Sequence, residues 1–439
     1  MKELTRDNVQ NYLNNFNDMG YEINDELKKA LLYSEFSDRN IIVSGGAGTG
    51  KSTFIKLFMN NTSFNNVALL SSTGISAINI GGVTVHSFFS FGIDLINKYA
   101  MSQTLIDKIN MFDAFVVDEI SMIRADVMEA LEYRLRNSSM DTHLPFGGKK
   151  MIFVGDLFQL APVVKKGTNE YKFINENFKS PWWFSAPDIG NFDYIELKKN
   201  YRQENDDEFL DILNRIRIGK QTRKDLEKIN SKVMKLEEFI EQKGDNYVYL
   251  TTTNKAANKI NTEELSKIDS EEYIFYPEIK GTFPSNLFPV ETPLRLKLGA
   301  KVVFVRNGLT YKNGDIGRIS YISKSMIKVE LLRNGIEVNL SEDVWENNDY
   351  VVNGDGKIYR EVIGSFRNYP LKLAYAITVH KSQGQTYDNV YFNIENGAFS
   401  SGQTYVALSR SRTLDGLGLK SKIFNSDIIV DRKIRRMFM

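Results

Sequence analysis

Short β-branched apolar runs alternate with helix-like stretches through the first 200 residues, a pattern that predicts a parallel sheet with crossover helices. The runs at 41–44, 67–71, 114–117, 151–154 and 194–197 are read as strands. Residues 206–217 predict a helix: Asp206, Asp207 and Glu208 open it, Phe209, Ile212, Leu213 and Ile216 share one face, and Arg215, Arg217 and Gly219 close it. A second α/β pattern begins with YVYLTT (247–252) and a helix from Lys255. From about residue 298, KVVFVRN, NGDIGRISYIS and SMIKVELL alternate with period two around Asn-Gly turns, which predicts a small β-barrel or meander. The α/β pattern resumes near Leu371, so the β-segment is an insert within a second α/β domain.

Length agrees with this division, because 439 residues exceed one ordinary core and predict two or three domains. A hydrophobic share of 42% and a charged share of 25% are those of a soluble globular chain. No signal peptide and no apolar run of about 18 residues is read, so a cytoplasmic location is expected, nucleoid-associated if the source is bacterial. The absence of cysteine excludes disulfides, thiolate zinc sites and cysteine nucleophiles. A net charge of +1 means that a polyanion must be held by a local groove, since the global field will not attract it.

The most specific chemistry is GGAGTGKST (45–53), which fits G-x-x-x-x-G-K-[ST] between an apolar strand and a helix. Gly45, Gly46, Ala47, Gly48, Thr49 and Gly50 form a loop whose N–H groups converge on phosphates, and the helix N-terminus adds its positive end. Lys51 is placed to reach the β/γ-phosphates, Ser52 to supply a Mg²⁺ ligand, and Thr53 continues the binding segment. Hydrolysis also needs a second metal anchor and a water activator at a neighbouring strand end. AFVVDEISM (114–122) offers Asp118 for the metal sphere and Glu119 as general base. MIFVGDLFQLAPV (151–163) ends in Asp156 and Gln159; its amide is read either as orienting water and sensing the γ-phosphate or as part of a capped turn.

With these motifs the chain resembles a superfamily 1 helicase, most closely the Pif (petite integration frequency) family of 5′-to-3′ DNA helicases, subclass B, relatives of the RecD-type enzymes. Matching segments run from about 41 to 417. STGISAINIGGVTVHSFFSF (72–91) is similar to that family's first DNA-contacting motifs, and MIRADVMEALEYRLR with PFGG (145–148) resembles its signature segment. LKKNYRQ (197–203) resembles the motif presenting an arginine to the nucleotide, here Arg202. LTTTNKAANKIN (250–261) resembles the second domain's phosphate-gripping motif. AYAITVHKSQGQT (374–386) is similar to the segment that touches the nucleic-acid backbone while linking it to the nucleotide, and GQTYVALSRSRT (402–413) to the motif contributing a second arginine, Arg410.

The resemblance implies two RecA-like P-loop domains with parallel sheets and an SH3-like β-barrel inserted in the second. The expected boundaries are 1–185, with a small insert near 91–111; 186–297; the barrel at 298–365; and 366–439. It implies ATP and Mg²⁺ as cofactors, with Gly384 joining Gln159, Arg202 and Arg410 at the nucleotide. DNA contacts are expected from Thr73, Gly74, His86, Ser87, Phe88, Thr253, Asn254, Lys255, Thr378, His380, Lys381 and Ser382. These grips are mostly neutral, which suits a protein that must release phosphate at every step. Phe88, Phe89 and Phe91 offer either base-stacking surfaces or core packing, PWWF (181–184) reads as packing, and DRKIRRMF (431–438) reads as a solvated helix end or an extra phosphate contact.

In one departure, Leu27 stands where the family usually carries an adenine-reading glutamine, which leaves base selectivity open; Gln10 lies farther upstream. The implied activity is ATP-dependent 5′-to-3′ unwinding of DNA in replication, repair or recombination. Its partners would be single-stranded and forked or tailed duplex DNA, with no membrane and a monomeric resting state. The alternative is a single-strand-stimulated translocase that remodels protein–DNA complexes without processive unwinding. A separating pin would distinguish the two, and 91–111 is the stretch of the first domain long enough to hold one.

Overall fold

A computed structural model describes residues 6–16, 23–92, 96–162, 164, 167–201, 206–352, 358–394 and 397–438. The chain divides into two compact units, the first comprising 1–157, 161–201 and 347–363, the second 158–160, 202–346 and 364–439.

The first unit is built on a six-stranded sheet: β1 (Asn40–Gly45), β2 (Val67–Ser71), β3 (Val83–Thr84), β4 (Ala114–Asp118), β5 (Lys150–Gly155) and β6 (Phe192–Leu197). Their order is β3-β2-β4-β5-β1-β6, and every recorded pair is parallel. Strands covered on both faces read as continuous apolar runs, which is why all five expected strands are present. Alternation then sorts the side chains. Ile41, Val43, Val116, Ile152 and Val154 face a cluster containing Leu27, Leu31, Phe54 and Phe58 from the helices Asp25–Phe36 and Lys51–Asn61. Phe115 and Phe153 meet an aromatic set instead, with Phe88 5.6 Å from Phe115 and Trp183 5.4 Å from Phe153. Trp182 and Trp183 are buried, so PWWF does pack. Because β6 pairs with β1 along its whole length, this sheet extends past the expected boundary at residue 185.

Segment 91–111 contains the helix Gln103–Asn110, which buries Leu105 and Ile109; residues 93–95 lie outside the described residues. Lys108 on this helix pairs with Asp349 at 2.5 Å, and Tyr350 packs its ring 5.0 Å from Phe112 and 5.9 Å from Phe88. These contacts are what bring 347–363 into the first unit.

After three helices, the strands of the second unit begin with β7 (Val248–Thr251), and the chain then runs through β8 (Glu272–Phe275), β9 (Glu278–Gly281), β10 (Leu294–Lys297), β11 (Lys301–Phe304), β12 (Ile316–Ile322), β13 (Ile327–Leu331) and β14 (Glu337–Leu340). β15 (Asp343–Val352) and β16 (Ile358–Asn368) follow, each running partly through the 347–363 stretch of the first unit, and the second unit then continues through β17 (Leu371–Leu373), β18 (Ile377–Thr378), β19 (Val390–Asn393) and β20 (Leu417–Leu419). A parallel sheet in the order β18-β7-β19-β20 forms its α/β core. The helix Asp207–Arg217, capped by Asp206, packs Phe209, Ile212, Leu213 and Ile216 against Val248, Leu250, Val390 and Phe392, as its apolar face predicts. The insert contains an antiparallel five-stranded sheet, β14-β13-β12-β11-β17, with its own core of Val302, Phe304, Ile319, Val329, Leu331 and Leu371. Antiparallel pairing begins at β8 and ends at β17, a wider span than the expected 298–365.

Lys301 on β11 is 2% exposed; its Nζ has no hydrogen-bond partner among the described residues and lies 3.4 Å from the centroid of the Tyr247 ring. Burial pushes its pKa down to about 7, Arg318 pushes in the same direction and Asp245 opposes. The folded state therefore disfavours a charge that the unfolded chain carries up to the ordinary lysine range near 10.4. This penalty is full below about pH 7 and fades as pH rises toward 10. Urea denaturation midpoints should rise between pH 7 and about 9.5 in the parent chain, and Lys301→Met should be more stable at pH 7 and lose that rise. An unchanged pH slope in the variant would contradict this.

Candidate functional site

In the first unit, β1 ends at Gly45 and a turn leads directly into the helix Lys51–Asn61. A Cβ at Gly45 would stand 2.3 Å from Thr49 Oγ1 and 2.9 Å from the Leu197 carbonyl, so only glycine fits. Thr49 Oγ1 donates to the Gly46 carbonyl at 3.0 Å, tightening the loop, and Gly50 caps the helix with φ 89°. Lys51 Nζ donates to the carbonyls of Gly45 and Gly46, both at 2.8 Å. Ser52 is exposed and Thr53 half-buried at the helix start.

Segment 199–201 braces this loop. Asn200 Nδ2 donates to the Ala47 carbonyl at 2.8 Å and Tyr201 N to the Gly48 carbonyl at 2.9 Å. The sequence motif points to its arginine and carries no signal for these two contacts, and Arg202 itself lies outside the described residues.

Asp118 closes β4, two strands from β1 with β5 between, so its strand end lies on the order of 10 Å from the loop's strand. Burial raises its pKa, opposed by the N–H of Glu119, which donates to Asp118 Oδ1 at 2.9 Å, and by Lys51. Glu119 adopts φ 52°, a left-handed conformation that costs a non-glycine residue and so marks a constrained position. Asp156, buried beyond the end of β5, completes the row of strand ends.

The segment of the first unit expected to contact DNA divides. Thr73 Oγ1 accepts from Ser76 N and caps the helix that begins at Gly74, while Thr84 accepts from Ser87 N. His86 is half-buried; burial lowers its pKa, Arg124 adds to this and Asp126 opposes, so the imidazole is neutral at pH 7. Phe88 requires a correction: it is 0% exposed within Phe89, Phe112, Phe115 and Tyr350, so its ring presents no face to a base. Phe89 and Phe91 are buried as well. Leu27 is buried and its N–H donates to Asn24 Oδ1, while exposed Gln10 donates to Asn14 in its own helix.

In the second unit, Gln159 is buried and its Oε1 accepts from Gln383 Nε2 at 3.0 Å. A Cβ at Gly402 would stand 2.2 Å from the Gln159 carbonyl, a close approach that only glycine permits. Arg410 is fully buried, with Nη1 donating to the carbonyls of Ser382 (3.2 Å) and Gln385 (2.8 Å) and Nε to Val406 (2.8 Å). The structure thus brings Gln159, Arg410 and segment 382–385 together.

Thr378 Oγ1 accepts from Lys381 N, and Ser382 Oγ donates to the Val379 carbonyl, so both hydroxyls shape the turn that presents half-buried His380 and exposed Lys381 and Gly384. Burial lowers the His380 pKa, leaving it neutral at pH 7. Thr253 Oγ1 accepts from Ala256 N, capping the helix on whose first turn Asn254 and Lys255 stand exposed. In the tail helix, Ile434 is buried and Arg435 donates to the Gly219 carbonyl at 2.7 Å.

A family model described as PIF1-like helicase matches residues 23–227, and one described as UvrD-like helicase C-terminal domain matches 373–414. ATP-dependent DNA helicase Pif1 of Bdellovibrio bacteriovorus is 33% identical over 418 residues, covering 92% of this chain and 88% of that protein. The chain belongs to the Pif1 helicase family. Bacteroides Pif1 in complex with ADP-AlF4 superposes with a TM-score of 0.83 at 32% identity, covering 94% of this chain and 96% of that one. Bacteroides Pif1 bound to ssDNA gives a TM-score of 0.67 at 32% identity, covering 95% and 96%. The α/β architecture is accordingly RecA-like, and the chain is an enzyme of a family of ATP-dependent DNA helicases.

Proposed function

We propose that this Pif1-family enzyme hydrolyses ATP to translocate 5′ to 3′ along single-stranded DNA and separate forked or tailed duplexes, in replication, repair or recombination. The observation that carries the reading is the row of chemistry at the parallel strand ends of one sheet: Gly45–Lys51 after β1, Asp118 and Glu119 at the end of β4. Support comes from relatives named as ATP-dependent DNA helicases and from neighbours named as bound to ssDNA and to ADP-AlF4.

Loop amides and Lys51 bind the phosphates. Ser52 and Asp118 would hold Mg²⁺: both offer hard oxygen donors, and no described cluster of three or more His, Cys, Asp or Glu would capture a metal without the nucleotide. When bound, the ion neutralises phosphate charge. Glu119 takes the proton of the attacking water, and Gln159 orients that water. Arg202 and Arg410 neutralise charge developing on the transferred phosphoryl group, an effect on the order of 10³ to 10⁵ in rate for such arginines.

His86 and His380 remain neutral, so with Thr73, Asn254 and Lys381 they grip the strand weakly enough to release it. Among the described residues no helix is long and apolar enough to cross a membrane, and a cytoplasmic or nucleoid setting fits the proposed substrate. Displacement of a labelled strand from 5′-tailed, 3′-tailed and blunt duplexes tests the reading. The 5′-tailed substrate should be opened in preference, and hydrolysis stimulated by single strands without displacement would favour the non-unwinding translocase.

A further inference from the structure

The turn joining β11 to β12 in the insert docks onto the segment that holds Arg410. Gln385 Nε2 donates to Asn313 Oδ1 at 3.1 Å, and the Tyr387 hydroxyl donates to Gln385 Oε1. The Gln385 amide is thus held at both ends. Its main-chain carbonyl receives Arg410 Nη1 at 2.8 Å, while Tyr387 N donates to the Arg410 carbonyl at 2.8 Å. Asn313 is fixed in turn: its N–H donates to Asn307 Oδ1 at 2.8 Å, and Gly314 N to the Phe304 carbonyl at 2.9 Å. Gly314 takes φ 94°, and a Cβ there would lie 3.6 Å from both the Thr386 carbonyl and the Tyr387 ring, so the turn lies directly against this segment.

From this arrangement we infer that Asn313 is a positioning residue for Arg410, holding residues 382–387 and with them the guanidinium in one orientation. No motif contains Asn313, and the sequence marks it only as the first half of an Asn-Gly turn. The inference rests on the catalytic reading of Arg410. Positioning by a remote group acts on the rate step rather than on ground-state binding, since a displacement near 1 Å at the reacting centre costs up to about 10²-fold.

Steady-state ATP hydrolysis at saturating single-stranded DNA tests it in the full chain, for Asn313→Ala, Asn313→Asp, Arg410→Ala and the 313/410 double alanine variant. Asn313→Ala should lower kcat about tenfold with KM for ATP unchanged. Asn313→Asp, which keeps an oxygen for Gln385 Nε2, should recover most of the rate. The double variant should be no slower than Arg410→Ala, because both changes remove the same contribution. Parental kcat in Asn313→Ala, equal impairment of the Asp variant, or an additive loss in the double variant each overturns the inference. Loss of fold in Asn313→Ala with a fully active Asp variant supports the need for the acceptor. Parental kcat in Arg410→Ala would instead sink the catalytic reading of Arg410, and this inference with it.

Discussion

Lys51→Ala is expected to abolish ATP hydrolysis, with a loss of about 10² to 10³-fold or more in phosphate release. Its ammonium lies 2.8 Å from the carbonyls of Gly45 and Gly46, at the end of the loop whose amides would face the triphosphate. A cation there stabilises charge that grows on the phosphate oxygens during transfer, and no other group in the loop carries one. Folding should be unaffected, because a positive side chain in the first turn of a helix is opposed by the helix dipole and alanine is a strong helix former. Thermal unfolding measured beside the ATPase separates the two effects. Turnover within a few-fold of the parent would remove the phosphate-loop reading.

Glu119→Gln is expected to lower turnover by about 10² to 10⁴-fold while leaving triphosphate affinity intact. Glutamine keeps the shape and removes the base. The bond that Glu119 makes to Asp118 Oδ1 comes from its main-chain N–H, so it survives the change. The loop amides and Lys51 are likewise untouched. Single-turnover hydrolysis and titration with a fluorescent ATP analogue check the two halves separately. Weakened binding with normal turnover of bound nucleotide would assign Glu119 to binding instead of proton transfer.

The glycine loop and the acidic pair of the first unit were legible as structural elements because their signals are local. A glycine loop between an apolar strand and a helix, and an acidic pair after a second apolar strand, need only chain direction and strand pairing to become neighbours. Apolar runs that continue through both faces marked the parallel strands, and a stripe of Phe209, Ile212, Leu213 and Ile216 marked a docking helix. Side chains whose partners are distant in sequence were not legible. Phe88 sits close to His86 in a segment expected from the sequence to contact DNA, yet its ring belongs to a core completed by Phe112, Phe115 and Tyr350, the last 262 positions away. Asn200, Gln383 and Asn313 likewise gain their meaning from Ala47, Gln159 and Gln385, and no periodicity reports such pairings. The β-insert was recognisable by alternation, but its span was underestimated because the short strands β8 to β10 and β17 carry too few residues to display a period.

Coupling of nucleotide turnover to a DNA strand is tested most directly on a 5′-tailed duplex, with phosphate release and strand displacement followed in the same sample. The account predicts that both appear together, require ATP and vanish together in Lys51→Ala. Phosphate release at one rate whether or not DNA is present, with no strand displaced from any duplex, would contradict it.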